Sequence, residues 1–228
     1  MNPGWVASGR PHYIDAWQGG AALGAATHRT SAHGLRWGMP KYQIILADPP
    51  WAFRNYSDKW HEQHPESKWV GKQYGLMSLA DVCALPVESI AADDAVLFLW
   101  VTFPHLPDGL EVIRAWGFQF KTVGFSWLKT NAKSGSPFMG MGFWTRANQE
   151  ICLLATRGKP KRVSKSVKQV IISPIGRHSE KPAEVRDRIV ELMGDVPRIE
   201  LFARKHADGW DSWGDEIRSD IDLFAHTT

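Results

Sequence analysis

The chain has 228 residues, 43% of them hydrophobic, and a formal net charge of +3. That size and apolar content suit one globular domain with a sizeable core, and the slight positive charge permits an anionic partner without requiring one. No apolar run is long enough to span a membrane, no basic-then-apolar leader is visible, and Cys83 and Cys152 lack Cys or His companions at zinc spacing, so a cytoplasmic protein with two buried thiols and no metal is expected.

In chain order, residues 1–40 are rich in Gly, Ala, Ser and His with no sustained period; they read as an extension holding at most a short helix near 15–26. Residues 43–47 are mostly apolar, with two isoleucines, and predict a buried strand. It ends at Asp48-Pro49-Pro50-Trp51, because two successive prolines cannot donate to a ladder. Residues 52–77 have no clear period. They interleave Arg54, Lys59, Lys68 and Lys72 with Tyr56, Trp60, Trp69 and Tyr74. That mixture is what an unstacked base would need, and it is also what a solvated loop with incidental aromatics looks like. Ser78 is a cap for a short helix stopped by Pro86. A strand is expected at 95–101. A helix at 106–116 would carry Leu106, Leu110 and Ile113 on one face and end at Gly117.

A third strand at 122–128 leads into a Gly- and Met-rich loop, 131–147, whose glycines suit a mobile or tightly turning backbone. Residues 150–156 form a fourth strand. Six cations between Arg157 and Lys168 read equally as a solvated face or as phosphate contacts. A strand at 169–173 precedes a helix expected to be capped by Ser179, with Pro182 in its first turn and Val185, Ile189 and Leu192 facing inward. Lys181 would then oppose the helix dipole. That points either to a ligand carboxylate or to an exposed lysine tolerated at small cost. The last strand, 198–204, carries Glu200 among apolar neighbours, where nucleotide-binding sheets hold a ribose diol; pairing with a nearby arginine is the other reading. Residues 218–228 form a mixed tail.

The tetrad has a definite chemical use. The exocyclic amine of adenine is a weak nucleophile because its lone pair is delocalised into the ring. The Asp48 carboxylate and the Pro49 carbonyl can each accept one N–H of such an amine, and the prolines fix the direction of those carbonyls. Trp51 can stack on the purine. A plain strand–turn, with Asp48 as a cap and Trp51 as core, is the competing reading. Twelve tryptophans leave several available for stacking on bases.

An ordered set of segments then carries a family resemblance. It comprises Ala47-Asp-Pro-Pro-Trp51, Tyr74-Gly-Leu-Met-Ser78, Leu97 to Thr102, Trp127-Leu-Lys-Thr-Asn131, Glu150 to Leu153, His178 to Pro182, Glu200-Leu-Phe-Ala-Arg204 and Trp213-Gly-Asp-Glu216. The chain resembles the adenine-N6 methyltransferases typified by the catalytic subunit of the eukaryotic mRNA adenosine methyltransferase, as a bacterial or phage member. The resemblance implies an α/β, Rossmann-like methyltransferase domain over 41–217, permuted so that the catalytic motif precedes the cofactor motif. It implies S-adenosylmethionine as donor and adenine in DNA as acceptor, with RNA as the alternative substrate.

By the same resemblance Asp48, Pro49, Pro50 and Trp51 are catalytic. Ala47, Asp48, Lys181, Glu200, Phe202, Arg204, His206, Asp215 and Glu216 bind the donor, and Trp51, Tyr74, Lys129 and Asn131 bind substrate. Asp215 and Glu216 replace a family Asn-Gln pair, which puts their role in question. A homodimer or heterodimer is compatible with the resemblance. A nucleic-acid-binding homologue without catalysis would be expected to have lost the tetrad, which is intact.

Overall fold

The computed structural model describes residues 41–51, 76–140, 142, 144–176 and 180–225. Strand β1, Tyr42–Ala47, is followed by helices α1, Leu79–Cys83, and α2, Val87–Ile90. Strand β2 is Ala91–Val101, and a single 3-10 turn at Phe103–His105 leads into α3, Leu106–Ala115. Next come β3, Gln119–Thr130, β4, Gln149–Arg157, and β5, Val170–Pro174. Helix α4, Glu184–Met193, precedes β6, Arg198–Leu201, and β7, Asp211–Trp213.

The strands form one seven-stranded sheet in the order β5-β3-β4-β2-β1-β6-β7. Strand β4 runs antiparallel to both of its neighbours, and all other pairings are parallel. The carboxyl ends of six strands and the amino end of β4 therefore share one edge. Strand β1 sits between β2 and β6, so the sheet extends from it in both directions and the strand order reverses there. Open α/β sheets bind ligands at that kind of switch point.

Both faces of the central strands β1, β2 and β4 are covered, which is why these strands read as continuous apolar runs, whereas β3 and β5 keep exposed positions. Leu97, Leu99 and Val101 of β2 point into a cluster with Val82, Val112, Ile113 and Trp116 from the α1–α3 side. Val96, Phe98 and Trp100 alternate into a second cluster with Val185, Ile189 and Met193 of α4. In α3 the buried positions are Gly109, Val112 and Ile113, with Leu106 and Leu110 only partly covered, so the inward face is rotated from the expected one. A Cβ on Gly109 would stand 2.6 Å from Val101 Cγ1, which shows how closely this helix approaches the sheet.

Several boundaries differ from the sequence expectation for physical reasons. Strand β2 begins at Ala91 because the register shifts between Tyr42↔Ala91 and Ile44↔Val96, leaving the exposed Asp93 and Asp94 within the strand. Strand β3 is longer because its first four residues are exposed and carry no core pattern. Strand β6 ends at Leu201: Phe202 has φ 62°, a left-handed backbone that breaks the ladder before Arg204. Strand β7 was not expected. Helix α4 starts at Glu184 with Ala183 at its N-cap and no side-chain cap. Pro182 disfavours a helical conformation at Lys181, so the lysine precedes the helix and the dipole argument for it falls.

Candidate active site

The residues at the carboxyl end of β1 turn sharply. The Trp51 amide donates to the Pro49 carbonyl at 2.8 Å, and the Met77 amide donates to the Pro50 carbonyl at 3.0 Å. The turn is thus stapled to the chain entering α1, and Pro49 keeps one carbonyl lone pair for another donor. Ala47, just upstream, is buried between Leu99 of β2 and Leu201 of β6.

Asp48 is one end of a charge chain. Lys181 Nζ donates to Asp48 Oδ2 at 2.7 Å and lies 3.3 Å from Glu150 Oε2. Glu150 Oε1 in turn accepts from Lys129 Nζ at 2.5 Å. These four side chains come from the ends of β1, β3 and β4 and from the segment after β5, and they alternate in sign. Trp100 and Trp127 give the ammonium groups aromatic faces, at 5.8 Å for Lys181 and 5.0 Å for Lys129. Burial raises the Asp48 carboxyl above its ordinary value, and Lys181 offsets this only in part. Burial also pushes Glu150 up, but Lys181 and Lys129 outweigh it and hold that carboxyl below the usual range. For Lys181, burial disfavours the charge, yet Asp48 and Glu150 prevail and raise it above an ordinary lysine.

Trp51 departs from the expectation of a free stacking face. It is 7% exposed, its indole N–H donates to the Trp100 carbonyl at 3.1 Å, and its ring stacks on His105 at 5.6 Å. His105 is itself held by Thr102 Oγ1, 3.0 Å from Nδ1. Trp51 therefore anchors the turn, with little face left for a purine. Asn131 also differs. Its side-chain amide donates to Ser136 Oγ at 3.1 Å and to the Ser136 and Pro137 carbonyls at 3.3 Å. It holds the turn of the β3–β4 hairpin from within, as asparagine commonly does. Tyr74 and the basic and aromatic residues of 52–73 lie outside the described residues.

Glu200 accepts a two-pronged contact from α4: Arg186 Nε to Oε2 at 2.7 Å and Arg186 Nη2 to Oε1 at 2.9 Å. Each carboxylate oxygen keeps one further lone pair. Phe202 is buried edge-on against Trp213, ring centroids 5.5 Å apart, so its left-handed turn positions backbone and not an exposed ring. The turn is locked to the end of β7, where Ala203 N donates to the Trp213 carbonyl at 3.0 Å. A Cβ on Gly214 would come within 2.1 Å of the Ala203 carbonyl. Arg204 and His206 follow on this rim. Arg204 Nε lies 3.8 Å from Glu216 Oε1, while His206 faces Asp220 at 3.6 Å. Asp215 and Glu216 are exposed.

The sheet thus brings Asp48, Lys129, Lys181, Glu200 and the turns after β6 and β7 to one edge. Sequence reasoning gave no role to Glu150, His105 or Trp100. Glu150 had a signal: a lone carboxylate opening an apolar strand, the same pattern that singled out Glu200. Among the described residues, no cluster of three or more His, Cys, Asp or Glu side chains is placed to hold a metal, and no helix is long and apolar enough to cross a membrane.

Comparison with known proteins identifies the family. The chain is 34% identical over 189 residues to the type II methyltransferase M.MunI of Mycoplasma sp, a match covering 78% of each protein. It is 28% identical over 183 residues to the human N(6)-adenosine-methyltransferase catalytic subunit METTL3, covering 78% of this chain and 29% of that protein. The MT-A70-like N(6)-adenosine-methyltransferase of Drosophila melanogaster is 29% identical over 183 residues, with 27% of its length covered. A family model described as MT-A70 matches residues 42–216, from the first residue of β1 to the last of the candidate site residues, and the chain is a methyltransferase belonging to the MT-A70 family.

Proposed function

We propose that the chain transfers a methyl group from S-adenosylmethionine to the N6 amine of adenine in DNA. The observation that carries this reading is Asp48: an acceptor carboxylate beside two stiffened carbonyls, at the switch point of the sheet and flanked by a partly buried cation. The similarity to a type II methyltransferase of matching length favours DNA, the substrate of type II modification. The longer N(6)-adenosine-methyltransferase relatives make RNA the second reading.

The residues fit the donor. Lys181 offers a cation for its amino-acid carboxylate. The spare lone pairs of Glu200 suit a ribose diol, and Arg204 and His206 border the same turn. Asp215 and Glu216 stand on the rim where the family carries amides. When bound, S-adenosylmethionine supplies a methyl group already made electrophilic by its sulfonium.

The chain's own residues orient and polarise. Asp48 accepts one N–H of the adenine amine, and the free lone pair of Pro49 accepts the other. The amine is then held rigidly, with its nitrogen directed at the methyl group. As the carbon–sulfur bond of the donor breaks, the Asp48 carboxylate would favour the positive charge that develops on that nitrogen and, already holding one N–H, would take up the surplus proton and pass it to water, and a preorganised acceptor needs no reorganisation as it does so. Glu150 and Lys129 fix Lys181 and so fix Asp48. A base within a duplex cannot reach this edge, so the target is extruded or already single-stranded.

The test is a tritiated-methyl assay on matched single- and double-stranded DNA and RNA oligonucleotides, read by nucleoside mass spectrometry. N6-methyldeoxyadenosine is the expected product. Label confined to RNA would move the assignment to the second reading, and no label on any oligonucleotide would reject both.

A further inference from the structure

The β3–β4 hairpin presents a large aromatic to solvent at the same edge as the candidate site. Trp144 is 98% exposed, and Met139 on the opposite arm is 73% exposed. The base of the hairpin lies in the charge chain, since Lys129 is the last residue but one of β3 and Glu150 the second residue of the paired strand β4. Backbone bonds continue the ladder beyond them: Lys129 N to Asn148 O at 2.9 Å, Phe138 N to Lys129 O at 2.8 Å and Gly140 N to Ala147 O at 2.9 Å.

The turn above them is tightly built. A Cβ on Gly140 would stand 2.2 Å from the Ala147 carbonyl, and one on Gly142 would stand 2.1 Å from the Thr145 carbonyl. Two glycines on one arm thus let the other arm approach to a distance no side chain allows. The face of this indole is therefore available to another molecule.

The charge of the hairpin says which kind. Residues 131–148 contain Lys133 and Arg146 and no Asp or Glu, and both cations are exposed. An exposed aromatic on a hairpin that carries two exposed cations and no carboxylate suits a polyanion whose units carry π faces. We propose that Trp144 stacks on a base flanking the target adenine while Lys133 and Arg146 meet adjacent phosphates. This rests on the nucleic-acid reading above. Trp144 lies four residues from Asn148 at the foot of the hairpin, a reach of at most about 13 Å.

The test compares wild type with Trp144→Ala, Trp144→Phe and Arg146→Ala in the full chain. Anisotropy of a fluorescent adenine-containing DNA oligonucleotide gives affinity, methyl-transfer kinetics give kcat and KM, and calorimetry with the donor reports that each variant is folded. Trp144→Ala is expected to weaken oligonucleotide binding by about ten-fold or more, the loss of one base–aromatic stack, and to raise KM far more than it lowers kcat. Trp144→Phe is expected to recover most of the affinity. Arg146→Ala is expected to reduce the salt slope of binding by about one.

Unchanged affinity and KM in Trp144→Ala, with methylation by wild type intact, would overturn this proposal alone. So would loss of a dimer in sedimentation as the only consequence of that substitution, since the hairpin would then contact a second chain. A wild type that binds the donor but neither binds nor methylates any nucleic acid would overturn the function proposed above, and this proposal with it.

Discussion

Asp48 is subject to two opposing influences, burial that favours its protonated form and Lys181 that favours its charge, and burial prevails. A protonated carboxyl cannot accept the amine N–H in the same way. The acid limb of the kcat–pH profile is therefore expected above the range of an ordinary aspartate. Asp48→Asn, nearly isosteric but a weaker acceptor, is expected to lower kcat by about 100-fold or more while donor binding stays measurable by calorimetry. Near-normal turnover in that variant would remove Asp48 from the chemistry. Arg186 can be tested in the same way. Both of its contacts go to Glu200, so Arg186→Ala leaves a largely buried carboxylate without its partner and is expected to weaken donor binding. Unchanged donor affinity would mean that Glu200 plays no part in holding the donor.

The turn after β1 was legible in the sequence because two successive prolines cannot continue a ladder. The burial of Trp51 was not, since one letter does not say whether an indole faces a ligand or the Trp100 carbonyl. Nor was the internal role of Asn131, because its partners lie five and six residues ahead and only the folded turn brings them into range.

At the scale of elements, Glu150 joins β4 to β3 and to the segment before α4. Glu150→Gln would leave Lys129 and Lys181 without the carboxylate that separates them. Because breaking a largely buried pair leaves an uncompensated charge, a loss of about 3 kcal/mol at neutral pH is expected in thermal or denaturant unfolding. The sign with pH follows from the lowered Glu150 value. Its contribution is present above the pKa of an unfolded glutamate and is lost as pH falls through the folded value. The gap between wild type and Glu150→Gln should therefore narrow in acid.

Packing of α3 gives an independent test. Gly109→Ala would gain about 1 kcal/mol in helix propensity. It would also drive a methyl into Val101, a β-branched side chain fixed in the core, and overpacking of that kind costs about 1–3 kcal/mol. A net loss of stability is expected, and a rise in melting temperature would show that the helix can move off the sheet. Strand positions were readable because two-sided burial leaves continuous apolar runs. Strand ends were not, because they depend on the register shift at Ala91 and the left-handed Phe202, neither of which has a composition signal.

Across the whole molecule, the sheet assigns its charges to two different edges. The cations from Arg157 to Lys168 connect the carboxyl end of β4 to the amino end of β5, on the edge opposite Asp48. Nine residues of β4 separate the two edges, roughly 30 Å of extended chain. Of the two readings of that run, the topology favours a solvated face. Replacing Lys159, Lys161 and Lys165 together by glutamine is expected to leave the oligonucleotide KM within about two-fold of wild type and its salt slope unaltered, whereas Arg146→Ala changes both, because the slope follows the number of phosphates neutralised. A large change from the triple variant would mean that nucleic acid wraps around the sheet. The sequence could not separate the readings, because a charge run says nothing about which end of a strand it follows until the direction of β4 is known.

That direction has a further consequence. Because β4 runs against its neighbours, the chain doubles back at the Asp48 edge between β3 and β4 instead of crossing the sheet through a helix. The residues between these strands are framed by the ladder on one side and by water on the other. Changes of length beyond the bonds that tie Phe138 and Asn148 to Lys129 are expected to leave the register of the strands and the positions of Asp48, Lys181 and Glu200 unaltered. The fold therefore separates what must stay constant for the chemistry from what is free to vary. If Trp144 meets a base as proposed, grafting the hairpin of a relative onto this sheet is expected to carry over that relative's preference for flanking sequence and leave the rate of the chemical step to the recipient.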